Sequence, residues 1–161
     1  MGQIASEVER RLANLGFVLP EAAAPLANYV AAVRSGPLLF ISGQLPLGPD
    51  GALAPEHVGK VGAGVTEDAG RRAAALCAVN CLAQVRAHLG DLDRIAHCVR
   101  LGGFINCADD FTRLALVMNG ASDLIAAALG EKGAHARSTI GVAQLPLGAC
   151  VEVEAIFEIT P

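Results

Sequence analysis

The sequence predicts a single α/β domain of the α+β type: a mixed, mainly antiparallel sheet, two helices packed on one face, and one further helix at the N-terminus. Three observations carry this. The last segment, Cys150 to Ile159, alternates strictly. Val151, Val153, Ala155, Phe157 and Ile159 form one face, and Glu152, Glu154, Ile156 and Glu158 the other. Between Thr66 and Gly90, Leu76, Val79, Leu82, Ala83 and Leu89 recur at steps that give a helix one broad buried face. The remaining patterns complete a β-β-α-β-α-β-β order behind a leading helix.

The elements follow in chain order. Ser6 and Glu9 form a capping box, and Ile4, Val8, Leu12 and Leu15 recur at helical spacing up to Gly16. A short helix over about 4 to 15 is expected, followed by an Ala-rich connector framed by Pro20 and Pro25. Tyr29 to Val33 and Leu38 to Ser42 flank Arg34-Ser35-Gly36-Pro37, a hairpin pattern. Pro49-Asp50-Gly51 is a turn and 59–64 a loop. Thr66 caps the long helix, with Glu67 and Asp68 in its first turn and Gly90 at its end. Ile95 to Asn106 reads as a strand whose Gly102-Gly103 marks a bulge or a close approach. Asp109 is placed to cap a second helix that Asn119-Gly120 bends or divides. The last two strands, from Arg137 to Ala143 and from Cys150 to Ile159, are expected to pair through a turn at Leu145-Pro146-Leu147-Gly148.

The 161 residues suit one domain, with residues 1–24 as helix and connector and 25–159 as its core. Apolar residues make up 53% and charged ones 17%, enough to bury a core and too little charge for disorder. With helices on one sheet face only, the other face needs a partner, so an oligomer is expected. The net charge is −4 and Lys and Arg form no run, which argues against a nucleic-acid partner. Five cysteines without framework spacing argue against disulfides, and Cys77 and Cys81 suit buried thiols. His57, His88, His97 and His135 are scattered rather than spaced as metal ligands. The first fifteen residues do not read as a signal peptide, and no long uncharged apolar run reads as a membrane span, which makes a cytoplasmic protein the expectation.

The C-terminal third is the most informative. Arg137-Ser138, Leu145-Pro146 and Val151-Glu152-Val153-Glu154-Ala155 resemble the C-terminal signature of the Rid family, reactive-intermediate deaminases also known as YjgF or L-PSP endoribonuclease-like proteins. Ile41-Ser42-Gly43-Gln44-Leu45-Pro46 is similar to that family's Ser-Gly-Gln strand end. Asn28-Tyr29-Val30 is similar to its Pro-Tyr segment, with Asn in place of Pro, and Asn119 matches an Asn of its second helix after a short insertion. The resemblance spans about residues 25 to 159.

The resemblance implies a chorismate-mutase-like fold and a homotrimer with sites between subunits. It implies hydrolysis of a reactive enamine or imine, such as 2-aminoacrylate, to a 2-keto acid and ammonia, with no metal or organic cofactor. Arg137 would hold the substrate carboxylate and Glu152 a water. Tyr29, Ser42, Gly43, Cys107 and Asn119 would line the substrate. A guanidinium fork matches a carboxylate, and a protonated imine is electrophilic enough that a positioned water suffices. Two other outcomes stand beside this: a non-catalytic trimer binding small carboxylates, and an endoribonuclease, which the acidic balance disfavours.

Each residue also has an ordinary reading. Arg137 would pair with Glu152 or Glu154 on the surface. Glu152 and Glu154 would face solvent, and Glu154 is taken as structural. Tyr29 would be an interface aromatic, Cys107 an inert thiol and His135 a loop residue. The leading helix and the added residues around Thr66 and between Phe104 and Asn119 depart from compact family members and bear on pocket shape.

Overall fold

The computed structural model describes residues 5–161; the helix start expected at Ile4 lies outside them. Helix α1 (Glu7–Asn14) forms as its capping box dictates. Glu9 N–H donates to the Ser6 hydroxyl at 3.1 Å and Ser6 N–H to the Glu9 carboxylate at 2.7 Å. The Asp93 carboxylate accepts from Glu7 and Val8 N–H, and Val8 and Leu12 are buried. This pins the helix to the body of the domain.

Strands β1 (Ala32–Ser35) and β2 (Leu38–Gln44) form the expected hairpin around Gly36, with Tyr29 lying before β1 rather than inside it. Two short parallel pieces, β3 (Lys60–Val61) and β4 (Gly64–Val65), close the following loop. Helix α2 (Glu67–Leu89) has the predicted caps, Thr66 accepting from Ala69 N–H and Gly90 left-handed at φ 79°. Strand β5 (Ile95–Asn106) covers the predicted span.

Helix α3 (Leu114–Leu129) departs from expectation twice. Asp109 does not cap it; it lies in a turn closed by Phe111 N–H donating to the Ala108 carbonyl, and the helix begins only after Arg113. Nor do Asn119 and Gly120 divide it. Gly120 sits where a side chain would strike the Arg71 carbonyl of α2, so its missing Cβ lets two helices touch rather than breaking one. The stretch Leu114–Gly133 is apolar and long enough to cross a membrane by length and composition alone. It is a core helix here, burying Val117, Met118, Ala121, Leu124 and Ile125.

Strands β6 (Ala136–Val142) and β7 (Val151–Ile159) complete a five-stranded sheet ordered β1-β2-β7-β5-β6. The expected pairing of β6 with β7 is corrected. β5 lies between them, antiparallel to β7 and parallel to β6, and β7 also pairs with β2. The segment around Pro146 therefore crosses over β5 instead of turning a hairpin. The physical reason is burial: β5 is covered along most of its length and takes the central place, while β6, with no buried residue, takes the edge.

Helices α2 and α3, with α1 packed against α3, cover one face, as expected. Val151, Val153, Ala155 and Phe157 point into it, and the thiols of Cys77 and Cys81 donate to the Val151 and Val153 carbonyls. Burial holds both thiols far above their ordinary range, which keeps them unreactive. The opposite face is open and partly apolar: Val33, Phe40 and Ile140 are exposed there.

Candidate active site

The candidate residues fall into two clusters. The first surrounds Glu152. Between Ile41 and Gln44 the β2–β7 register shifts, so Ser42 and Gly43 bulge. Gln44 stabilises the bulge by donating to the Ser42 and Gly43 carbonyls, and Gln84 of α2 ties Gln44 to the Ala23 carbonyl of the connector. The bulge brings the Gly43 backbone so close to the Glu152 carboxylate that a side chain at 43 would have to push that carboxylate aside. Ser42 does not face this carboxylate. Its hydroxyl donates to the Val30 carbonyl at 2.8 Å and holds the segment that carries Tyr29.

Tyr29, Gly43, Gln44, Leu45, Pro146 and Glu152 line one cleft of about 70 Å³. Among the described residues Glu152 has no hydrogen-bond or ion-pair partner. Burial, reinforced by the charge of Glu154, raises its carboxyl above the ordinary range. Glu154 is occupied differently, in an ion pair with Arg100 at 3.1 Å.

The second cluster surrounds Arg137. Its Nη1 donates to Asn119 Oδ1 at 2.9 Å and Ser122 Oγ at 3.0 Å, and its Nη2 donates to the Ala115 carbonyl at 3.1 Å. Ala115, Asn119 and Ser122 stand at i, i+4 and i+7 of α3 and so share one stripe facing β6. All three acceptors are neutral. The surface ion pair with Glu152 or Glu154 does not form, and among the described residues Arg137 has no carboxylate partner. Nε–H and the second Nη2 hydrogen remain for a ligand. Beside it on the same face, the buried Thr139 hydroxyl lacks a partner among the described residues.

The clusters do not meet within one chain. Arg137 pairs with Leu101 and Leu101 with Ala155, which places Arg137 on the helix face. Glu152 is opposite Phe104 on the open face. Cys107 belongs to neither cluster. Its sulfur lies by Gly141, four residues along β6 from Arg137, or about 13 Å at strand spacing. Ser122, His135 and Thr139 were not singled out as binding residues from sequence, although the α3 spacing that joins Ser122 to Asn119 is visible there. A larger cavity of about 510 Å³, around Phe17, Arg71 and Asp123, contains none of the candidate residues. Among the described residues no group of three or more His, Cys, Asp or Glu side chains gathers as metal ligands.

The chain thus combines a one-sided mixed sheet, an edge-strand arginine without a carboxylate partner among the described residues, and a half-buried carboxyl on an inner strand. Residues 9–159 match the family described as "YjgF/chorismate mutase-like, putative endoribonuclease", and the chain belongs to it. The chain is 46% identical to Protein TCP17 of Trypanosoma cruzi over 98% of its own length and 95% of that protein. The crystal structure of Atu1372 from Agrobacterium tumefaciens is 49% identical, with TM-score 0.87, over 95% of this chain and 94% of that one. The crystal structure of E. coli TdcF with bound serine is 25% identical, with TM-score 0.61, over 87% of this chain and 94% of that one.

Proposed function

We propose that the protein binds small carboxylates and hydrolyses reactive enamine or imine intermediates, of the 2-aminoacrylate kind, to 2-keto acids and ammonia. The observation that carries this reading is Arg137: a fixed guanidinium, held by three neutral acceptors, with donors left over and, among the described residues, no counter-ion. A cation kept in that state is ready for a planar anion. The serine bound to TdcF is a small amino acid with such a carboxylate, which supports the ligand class.

The active form would be a homotrimer in which the Arg137 cluster of one copy faces the Tyr29, Gly43 and Glu152 cleft of the next. The separation of the clusters in one chain and the open apolar sheet face both favour assembly. Glu152, with its raised carboxyl, would hand a proton to or from the attacking water. The test is release of ammonia and keto acid from imines generated in situ from several amino acids. Arg137→Ala should abolish it, and an unchanged rate removes Arg137 from its role.

A second reading, favoured by the bound serine of TdcF, is carboxylate binding without turnover. Calorimetry with keto acids would then give binding while imine hydrolysis stays at the background rate.

A further inference from the structure

Arg137 is not the end of its own hydrogen-bond chain. Ser122 Oγ, which accepts from Nη1, also lies 2.9 Å from His135 Nε2, and His135 Nδ1 lies 2.7 Å from the Gly133 carbonyl. A carbonyl only accepts, so Nδ1 carries the ring hydrogen and, in the neutral ring, Nε2 is the acceptor. The Ser122 hydroxyl hydrogen then points to Nε2, and its lone pairs turn to the guanidinium. The direction of every bond is fixed from Gly133 outward.

We propose that His135 and Ser122 are positioning residues which, with Asn119 and the Ala115 carbonyl, lock the orientation of the Arg137 guanidinium and so select planar carboxylates over other anions. Three of the five guanidinium hydrogens are consumed, both on Nη1 and one on Nη2. The two that remain, on Nε and Nη2, are the only ones a ligand can use. Without Ser122, Nη1 loses one of its two acceptors, and the group can turn about the Nε–Cζ bond. Without an acceptor at His135 Nε2, the Ser122 hydroxyl is free to rotate and present its hydrogen to Nη1 instead of its lone pair. His135 lies in the loop leading into β6, two residues before Arg137, so one strand entry carries both ends of the relay.

The consequence for ligand choice rests on the carboxylate-binding reading; the relay itself does not, and the test separates them. Rotation of the Arg137 guanidinium is measured by nitrogen NMR in the ligand-free protein, with Arg100, paired to Glu154, as internal control. Pyruvate binding is measured alongside. In Ser122→Ala and His135→Leu the Arg137 rotation should quicken while Arg100 is unchanged, and pyruvate should bind roughly tenfold more weakly, as expected for loss of a hydrogen bond to a charged group. His135→Gln, whose amide oxygen can accept from Ser122, should restore both. Rotation unchanged in Ser122→Ala and His135→Leu overturns the proposal, as does a Gln variant no better than Leu. Rotation freed as expected in a protein that binds no pyruvate upholds the relay and removes the carboxylate reading instead.

Discussion

Arg137 and Glu152 stand on opposite faces of one sheet, with β5 between their strands. Two strand spacings of about 4.8 Å and three residues at about 3.3 Å each put their Cα atoms about 14 Å apart. No side-chain rotation brings them together. If both serve one reaction, they come from different copies, and copies with complementary defects should repair one another. Arg137→Ala and Glu152→Gln are each expected to be inactive alone. Refolded together in equal amounts, they should recover about a quarter of the wild-type rate, the share of interfaces that pair an intact arginine with an intact glutamate under random assembly. A mixture no more active than its parts would place the two residues in separate functions.

Gly43 tests the other half of the arrangement. A methyl group there collides with the end of the Glu152 side chain, which is flexible, rather than with backbone. Gly43→Ala should therefore fold with a stability loss of no more than about 1 kcal/mol while displacing the carboxylate. Thermal unfolding and imine hydrolysis together check this: a melting temperature near wild type with the activity lost. Full activity would show that the placement of Glu152 is not required.

Gly120 should behave in the opposite way, because its neighbour is the Arg71 backbone carbonyl, which cannot swing aside. Gly120→Ala forces α2 and α3 apart and is expected to cost about 1–3 kcal/mol, the range for overpacking a tight core. Denaturant unfolding measures it. The shift also moves the stripe of α3 that holds Arg137, so carboxylate binding should fall with stability.

The contrast between these glycines shows what was legible in the sequence. Local signals are legible: the Ser6–Glu9 capping box, Thr66 and Gly90 around α2, and the alternation of β7 all stand where residue patterns put them. Gly120 looks like a helix interruption in the sequence because its reason is a contact with Arg71, 49 positions away in the chain. The β6–β7 pairing was missed for a similar cause. Alternation assigns side chains to faces but does not choose neighbours, and the long buried β5 claimed the place between them. The motif identified Arg137 and Glu152 as residues of interest. It did not reveal that they face away from each other, since sheet order decides that. Ser122 carries no signal of its own in the sequence and His135 reads there as a loop residue, because their link to Arg137 is a hydrogen bond that forms only when α3 docks on β6.

The raised carboxyl of Glu152 makes a signed prediction about pH. Burial is the larger cause and the Glu154 charge the smaller, and both favour the protonated form in the folded chain. In the unfolded chain a Glu titrates near about 4.3. The folded state therefore holds its proton to higher pH than the unfolded state does. Its stabilising contribution is complete below the unfolded value and is lost as pH rises through the folded one. Glu152→Gln keeps the shape and removes the titration. The variant should thus gain in melting temperature relative to wild type as pH rises from about 4 toward neutrality, and the gap should level off once the native carboxyl has ionised. If a neighbouring copy's Arg137 lies beside this carboxylate, it pulls the carboxyl back down and shrinks the gap. Repeating the comparison in an Arg137→Ala background should then widen it. A gap that is constant across pH would mean that Glu152 is not strained by its surroundings. A gap unaffected by Arg137→Ala would mean that the arginine and the glutamate do not face each other across an interface.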